Sequence, residues 1–464
     1  MSAHPSPRSQ PEPAAKAPAT HAAELPLVTL TGWGLYPQTQ GQERRAEDLE
    51  RITQGAVLSR GLGRSYGDSS LPPPGPHVVA GSTLADRLLG FDPNTGVVRA
   101  EAGCPLWRLN RVFLPLGWFT PVTPGTHYVT LGGMVAADVH GKSHHRDGCF
   151  GAHVTALKMR VADGRILECS EQSEPELFRA TLGGMGLTGH ILEVEFRLAR
   201  IPSPWIWQES ERTPDFETTL VKLQEAKTWP FTVCWADFLL SGGYAGRGVV
   251  MKGRWAQPGE APTQQPRFHS APALPFALPN WCLQRWMVSV FNRLNYWKHG
   301  AAVRTGIIHP ETFFYPLDVV RYWNRLYGRR GFTQYQCVLP VDGDFARHHR
   351  FLQRLQTLRA NVFLCVIKDC GAEGKGMLSF PRPGISYALD LPISRDTQAL
   401  VDTLNEFVIA EGGRIYLAKD AFTRADHFRA MDPRLAEWTR VRRKWDPACT
   451  LRSAQSVRVL GDRP

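Results

Sequence analysis

Two lysines close apolar strands in this sequence: Lys368 follows Val366-Ile367, and Lys419 follows Leu417-Ala418. Two glutamines, Gln334 and Gln336, stand two apart in a third segment rich in strand-forming residues. Side chains two apart in a strand leave by the same face. That rule aligns Gln334 with Gln336, Lys368 with Val366 and Leu364, Ala388 with Ser386 and Asp390, and Lys419 with Leu417. If these positions share the free face of one sheet, two amides and two ammonium groups converge on one floor. Such a floor can bind a phosphate, or stabilise the negative charge of a ring that accepts hydride. Each lysine taken alone also reads as a solvated strand terminus.

A second chemistry-bearing stretch is Thr120 to Gly151, TPVTPGTHYVTLGGMVAADVHGKSHHRDGCFG, with paired glycines and four histidines. It reads as a loop, a short helix of small residues and a second loop. Gly132 and Gly133 lack a Cβ that would hold a flat or phosphorylated ligand away, and Ala136 and Ala137 keep the next turn slim. Gly141-Lys142-Ser143 imitates the end of a phosphate-binding loop, but the position five before Gly141 is Ala136 rather than Gly. His140 and His144 have the spacing of two helical metal ligands, yet no Glu follows His140 and Gly141 suits a helix interior poorly. No metal site is expected, and hydrogen-bonded loop histidines are the plain reading of His144 and His145.

The chain has 464 residues, 43% hydrophobic and 21% charged, enough for two or three cores. Its 54 Lys and Arg against 43 Asp and Glu give +11, which suits an anionic partner such as a phosphate ester or an acidic membrane surface, or serves solubility alone. No nucleic acid is expected among the partners. Nine cysteines without CxxC pairing read as buried thiols in a reducing compartment. No membrane span or internal repeat stands out. The first 27 residues, rich in Pro and Ala and lacking an apolar core, are expected to be a disordered tail rather than a signal peptide, which points to a cytoplasmic protein.

Elements that must position these residues follow in two regions. From residue 28 to about 203, a helix over 46–54 and a strand over 56–59 lead into the glycine-rich loop Arg60 to Asp68. Gly96 marks a turn ahead of a strand over 97–102, and Asp163-Gly164 a hairpin between strands 156–161 and 165–168. Ser173 to Glu176 reads as a capping box opening a helix that ends at Gly183-Gly184. The glycine-rich Met185 to Gly189 then leads into a strand over 191–198. From 331 onward the pattern predicts strand 332–339, helix 345–358, strand 362–368, strand 385–391, helix 397–409 and strand 414–418, a ferredoxin-like βαββαβ unit. The expected division is a tail (1–27), a cofactor domain (28–203), a substrate domain (204–424) and a C-terminal segment returning to the first domain (425–464). Within the substrate domain, residues 270–300 are unusually apolar and aromatic. Trp281, Trp286, Met287, Val288, Phe291 and Leu294 can form one helical stripe beside Arg285, Arg293 and Lys298. That stripe is either core packing, or a lid or membrane-surface patch.

Three stretches in order, GLGRSYGD, TPVTPGTHYVTLGGMVAADVHGKSHH and LGGMGLTG, resemble the FAD-linked oxidases of the vanillyl-alcohol oxidase superfamily. The resemblance continues through FFYPLDVVRYWNRLYG, GFTQYQCVLP, LSFPRPGISYALDLPI, GGRIYLAKDAFTR and WTRVRRKWDP. It implies an α+β protein in which a two-subdomain FAD-binding domain faces a substrate domain built on an antiparallel sheet. By position it implies that Gly61, Gly63, Arg64, Ser65, Tyr66, Gly67, Pro124, Gly125, Thr126, Gly132, Gly133, Ala137, His140 and Gly141 hold FAD. Ile191 would lie on the adenine side, and Lys419 near the flavin. Lys419, His140 and Tyr66 would stand at the reaction centre, with Gln334, Gln336, Lys368, Tyr315, Ala388 and residues around Asn324 lining the substrate site. Mycobacterial members carry a Cys where this chain has Ala388. GLGRSYGD holds no His for a covalent link, so FAD is expected to bind non-covalently unless His140 or another residue makes the bond. The implied reaction is oxidation of a sugar's secondary hydroxyl, the 2′-OH of a polyprenyl-phosphoryl ribose, with a short-chain dehydrogenase partner completing an epimerisation and peripheral contact with the inner membrane surface. The alternatives are an alditol or aldonolactone oxidase acting on a soluble sugar, and a non-catalytic lipid-phosphate binding module.

Overall fold

The computed structural model describes residues 25–268, 270–279, 284–300, 303–341 and 343–464. Most of the expected tail (1–24) and Trp281 lie outside these residues, and Leu27 already opens the first strand, Leu27–Thr31.

The first region contains two main sheets and a two-stranded ribbon, Trp118–Phe119 paired antiparallel with Ala199–Arg200. Leu27–Thr31, Gln38–Arg45, Val78–Gly81 and Leu58–Arg60 form a four-stranded sheet in that spatial order. Leu88–Phe91, Val97–Glu101, His190–Arg197, Val154–Arg160 and Ile166–Ser170 form a five-stranded antiparallel one. One core that includes Val98, Leu131, Met134, Leu157 and Val194 joins the second sheet to the helix Leu131–Ala136. The expected helix over 46–54 is a single turn, Leu49–Ile52, because Asp48 caps it and Gly55, at φ 72°, turns the chain away soon after. Ser173 does not cap the next helix. The Ser170 hydroxyl accepts from the amides of Gln172 and Ser173 and folds that segment into a turn, so Pro175–Thr181 starts from Glu174 in the left-handed conformation.

The second region is one eight-stranded sheet. Phe332–Leu339, helix Ala346–Thr357, Leu364–Cys370, Gly384–Pro392, helix Thr397–Ala410 and Arg414–Ile415 form the expected ferredoxin-like unit, with all pairings antiparallel. The last strand is only two residues long, and Lys419 sits in a turn beyond it, its N–H donating to the Tyr416 carbonyl at 3.0 Å. A second unit of the same topology precedes it: Ile206–Thr213, helix Phe216–Glu225, Phe231–Ala236, Gly248–Trp255, helix Arg285–Lys298 and Arg304–Ile308. Each unit orders its strands fourth, first, third, second. The two second strands pair antiparallel, Trp235 opposite Val366, and fuse the units edge to edge.

Period two decides what each face of this sheet carries. Tyr335, Cys337, Leu339, Ile367 and Leu389 join the core under the helices Phe216–Glu225, Ala346–Thr357 and Thr397–Ala410. The alternate residues, Gln334, Gln336, Leu364, Val366, Lys368 and Ala388, line a cavity on the other face. The helix Arg285–Lys298 breaks the pattern, because it lies on the cavity side. Tyr296 packs on Trp235 and Val249, and Asn292 donates to Asp237 at 2.9 Å.

Candidate active site

Between the glycine-rich loops and the bare face of the large sheet lies a cavity of about 620 Å³. The loops are thin where they must meet. A Cβ on Gly141 would lie 2.2 Å from the Thr123 carbonyl oxygen, and one on Gly61 2.2 Å from the Thr130 hydroxyl. Gly125 and Gly186, by contrast, have no atom of the described residues beyond their chain neighbours within 4 Å of an added Cβ, and border the open space itself. Gly63, Arg64, Ser65, Tyr66, Pro124, Thr126, Gly132, Gly133, Ala137, His140 and Ile191 complete this wall.

The opposite wall is a hydrogen-bonded floor. Gln334 Nε2 donates to Asp390 Oδ1 at 2.5 Å, and Tyr327 Oη donates to Asp390 Oδ2 at 2.7 Å. Burial pushes the Asp390 carboxyl up to about 6. Gln336 Nε2 lies 2.9 Å from His140 Nε2 and donates to Ser386 Oγ at 3.1 Å. Burial, with the nearby Lys368, His144 and Lys419, holds His140 well below its usual pKa and therefore neutral. With the Gln336 amide donating, Nε2 of His140 accepts and its proton rests on Nδ1, which has no partner among the described residues.

Among the described residues the lining includes five basic side chains, Arg64, Lys142, Lys298, Lys368 and Lys419, and no carboxylate. Lys419 Nζ stands 3.7 Å from the centroid of the Tyr66 ring. Burial pulls its pKa down to about 7, with Asp390 opposing and Lys368 adding to the fall. Lys142 is likewise drawn down to about 7 by burial, reinforced by Lys368. Its ammonium donates to the Phe313 carbonyl and sits over the Phe313 ring. Arg64 is lowered to about 10 by burial and stacks 4.1 Å over Trp33. A cavity with this charge balance is built for anions, since leaving such cations uncompensated is costly. Backbone freed by glycine on one wall and ammonium groups on the other fit the diphosphate and the ring system of a dinucleotide.

Three expected positions do not face this space. Tyr315 is 1% exposed, and its hydroxyl is held by Asn110 at 2.8 Å and Thr123 at 2.5 Å, so it braces the wall from behind. Gly67 presses on the Lys419 turn, where a Cβ would lie 1.9 Å from the Asp420 carbonyl oxygen. Asn324 itself donates to the Trp33 carbonyl, while its neighbour Trp323 lines the cavity as expected of the residues around it. His144 Nδ1 accepts from the Gly371 amide and His145 Nε2 contacts the Trp229 carbonyl, which accounts for both as framework histidines. Sequence reasoning missed Lys142, dismissed with the imitation phosphate loop. It also gave Asp390 no role, although period two had already aligned it with Ala388.

Residues 35–170 match the family described as FAD binding domain. The chain is 32% identical to the decaprenylphosphoryl-beta-D-ribose oxidase of Mycolicibacterium smegmatis over 445 residues, covering 91% of this chain and 96% of that protein. Shorter matches join it to a putative D-arabinono-1,4-lactone oxidase of Neurospora crassa, 27% identical over 35% of this chain and 29% of the relative, and to the L-gulonolactone oxidase of Mus musculus, 32% identical over 24% of each. Near full-length identity on both sides of the cavity goes beyond a shared cofactor fold, and the chain belongs to the FAD-linked oxidases of the vanillyl-alcohol oxidase superfamily, as an FAD-dependent oxidoreductase.

Proposed function

We propose that this protein oxidises the 2′-OH of a polyprenyl-phosphoryl ribose to the ketone, using non-covalently held FAD. The observation that carries this reading is the cavity whose described lining gathers Arg64, Lys142, Lys298, Lys368 and Lys419 with no carboxylate among them. The name of the mycolicibacterial relative supports the sugar. Gly61, Gly63, Arg64, Ser65, Gly132 and Gly133 would hold the diphosphate, and Ile191 the adenine side. A bound flavin supplies the hydride acceptor, its N5. Lys419, neutral in about half the molecules near pH 7, takes the proton of the substrate hydroxyl. His140 is the weaker candidate, because Gln336 already occupies its free lone pair. Gln336 and Tyr66 orient the sugar, while Lys368 and Lys142 neutralise its phosphate.

The helix Arg285–Lys298 supports a lipid-linked substrate. Phe291, Asn295 and Lys298 line the cavity, while Trp286, Leu294 and Trp297 are 63%, 67% and 60% exposed. From Arg285 to Arg330 the sequence carries eight Arg or Lys against two carboxylates, Glu311 and Asp318. Aromatic and basic residues at the mouth of an anion-binding cavity suit the surface of an acidic lipid bilayer, from which a polyprenyl chain could thread inward. No helix among the described residues is long and apolar enough to cross a membrane, so the contact would be peripheral. A soluble-sugar oxidase, the reading favoured by the partial lactone-oxidase matches, leaves the exposed tryptophans and the basic residues of the helix Arg285–Lys298 unused. A keto product still requires a reductase to complete an epimerisation, which is the place of a short-chain dehydrogenase partner.

The test is turnover with an artificial electron acceptor on polyprenyl-phosphoryl ribose, ribitol and an aldonolactone. Formation of a product two hydrogens lighter from the lipid sugar alone is expected. Turnover of the soluble sugars alone would replace this substrate with theirs.

A further inference from the structure

We propose that Arg458, near the C-terminus, is a positioning residue that locks the cofactor loop at Gly67 to the turn that presents Lys419. The inference rests on the reading of Lys419 as the group that serves flavin and substrate. Arg458 lies on the helix Ala454–Leu460, which a reciprocal Ser453–Ser456 capping box anchors at its start. Its Nε and Nη2 donate as a fork to both oxygens of Asp68, at 3.0 and 2.7 Å. Its Nη1 donates to Asp420 Oδ2 at 2.9 Å and to the Thr423 carbonyl. Asp68 directly follows Gly67, and Asp420 directly follows Lys419.

The joint is tight on every side. The Tyr66 amide donates to the Ala418 carbonyl at 3.0 Å, and Gly67 leaves no room for a Cβ against Asp420. The second oxygen of Asp420 accepts from the amides of Phe422 and Thr423, at 3.1 and 2.9 Å, so the turn after Lys419 folds around the same carboxylate. From the same C-terminal helix, Gln455 donates to the Leu417 carbonyl at 2.7 Å. One helix thus holds Lys419 from both flanks. The side chains of Asp68 and Asp420 are only 5% and 8% exposed. Without the guanidinium, two buried carboxylates would face each other across the joint with no cation between them. Lysine could supply the charge but not the fork.

FAD-loaded protein carrying Arg458→Gln, Arg458→Lys or Arg442→Gln tests this. Arg442 makes a comparable buried pair with Asp462 and touches neither the loop nor the turn, so it controls for C-terminal stability alone. FAD affinity, read by release of flavin fluorescence, and the pH at which the visible flavin spectrum titrates are both independent of the sugar substrate. The expected result is at least tenfold weaker FAD binding and a displaced spectral midpoint for Arg458→Gln, partial recovery in Arg458→Lys, and a lower melting temperature with neither change in Arg442→Gln. Wild-type affinity and midpoint in Arg458→Gln, or equal changes in Arg442→Gln, would overturn the proposal. Should Arg458→Gln fail to fold, Asp420→Asn removes one leg of the clamp and keeps the other. A displaced midpoint there supports the clamp, and an unchanged one overturns it.

Discussion

Lys419 makes the sharpest demand at the scale of the residue. An ammonium drawn down to about 7 is mostly protonated at pH 6 and mostly neutral at pH 8. If its neutral amine takes the hydroxyl proton, kcat/KM should rise about tenfold per pH unit below 7 and level above it. Lys419→Met should cost about 10²- to 10⁴-fold in kcat, and Lys419→Arg should cost nearly as much, because a guanidinium keeps the charge but does not release its proton. An active Arg variant with a flat profile would reassign Lys419 to charge stabilisation. Ala388 gives a second test. It lines the cavity at the position where the family resemblance implies a Cys in mycobacterial members, so electrophiles aimed at that thiol should add one label to Ala388→Cys that the unsubstituted chain lacks, read by intact mass.

The scale of the element explains what could be read in the sequence. Strand Phe332–Leu339 was legible to the residue, because its glutamines alternate with Tyr335, Cys337 and Leu339 and the two sets need opposite faces. The same rule failed at Lys419. It extended the strand past Ile415, whereas Leu417 joins the helix-side core and Lys419 turns into the cavity. The duplicated ferredoxin-like unit escaped notice because topology repeats without repeating residues. Its fourth and first strands, Arg304–Ile308 and Ile206–Thr213, are half-polar, and a long insertion separates its third strand from its second helix. Gly141 was legible as thin, but its reason is the Thr123 carbonyl 2.2 Å from a would-be Cβ. Gly141→Ala should therefore cost about 1–3 kcal/mol of stability from overpacking and weaken FAD binding, both measurable by thermal melts with and without FAD. At the helix Arg285–Lys298, substituting Ser for Trp286, Leu294 and Trp297 together should cut sedimentation with acidic phosphatidylglycerol vesicles at least tenfold while leaving the flavin spectrum unchanged. Unaltered sedimentation would detach this helix from any membrane role.

Across the whole molecule, charge and architecture serve one arrangement. The +11 excess seen in the composition is gathered in part where it acts, inside a cavity with no carboxylate among its described lining residues and around its mouth. Composition could announce the excess but not its location, because Arg64, Lys142, Lys368 and Lys419 meet only after two glycine-rich loops close over the bare face of an eight-stranded sheet. If that face exists for a lipid-linked sugar phosphate, vesicle binding should weaken as salt screens the rim cations, while FAD retention, which depends on buried charges, should change little between 0.05 and 0.5 M salt, an ionic-strength range of about tenfold that shortens the screening length roughly threefold. The central claim is tested most directly by mixing the FAD-loaded protein anaerobically with polyprenyl-phosphoryl ribose and following the visible flavin absorbance. Bleaching by the lipid sugar, with none by ribitol or ribose, is the predicted result. A flavin that stays oxidised with the lipid sugar and bleaches with the free polyol would contradict it.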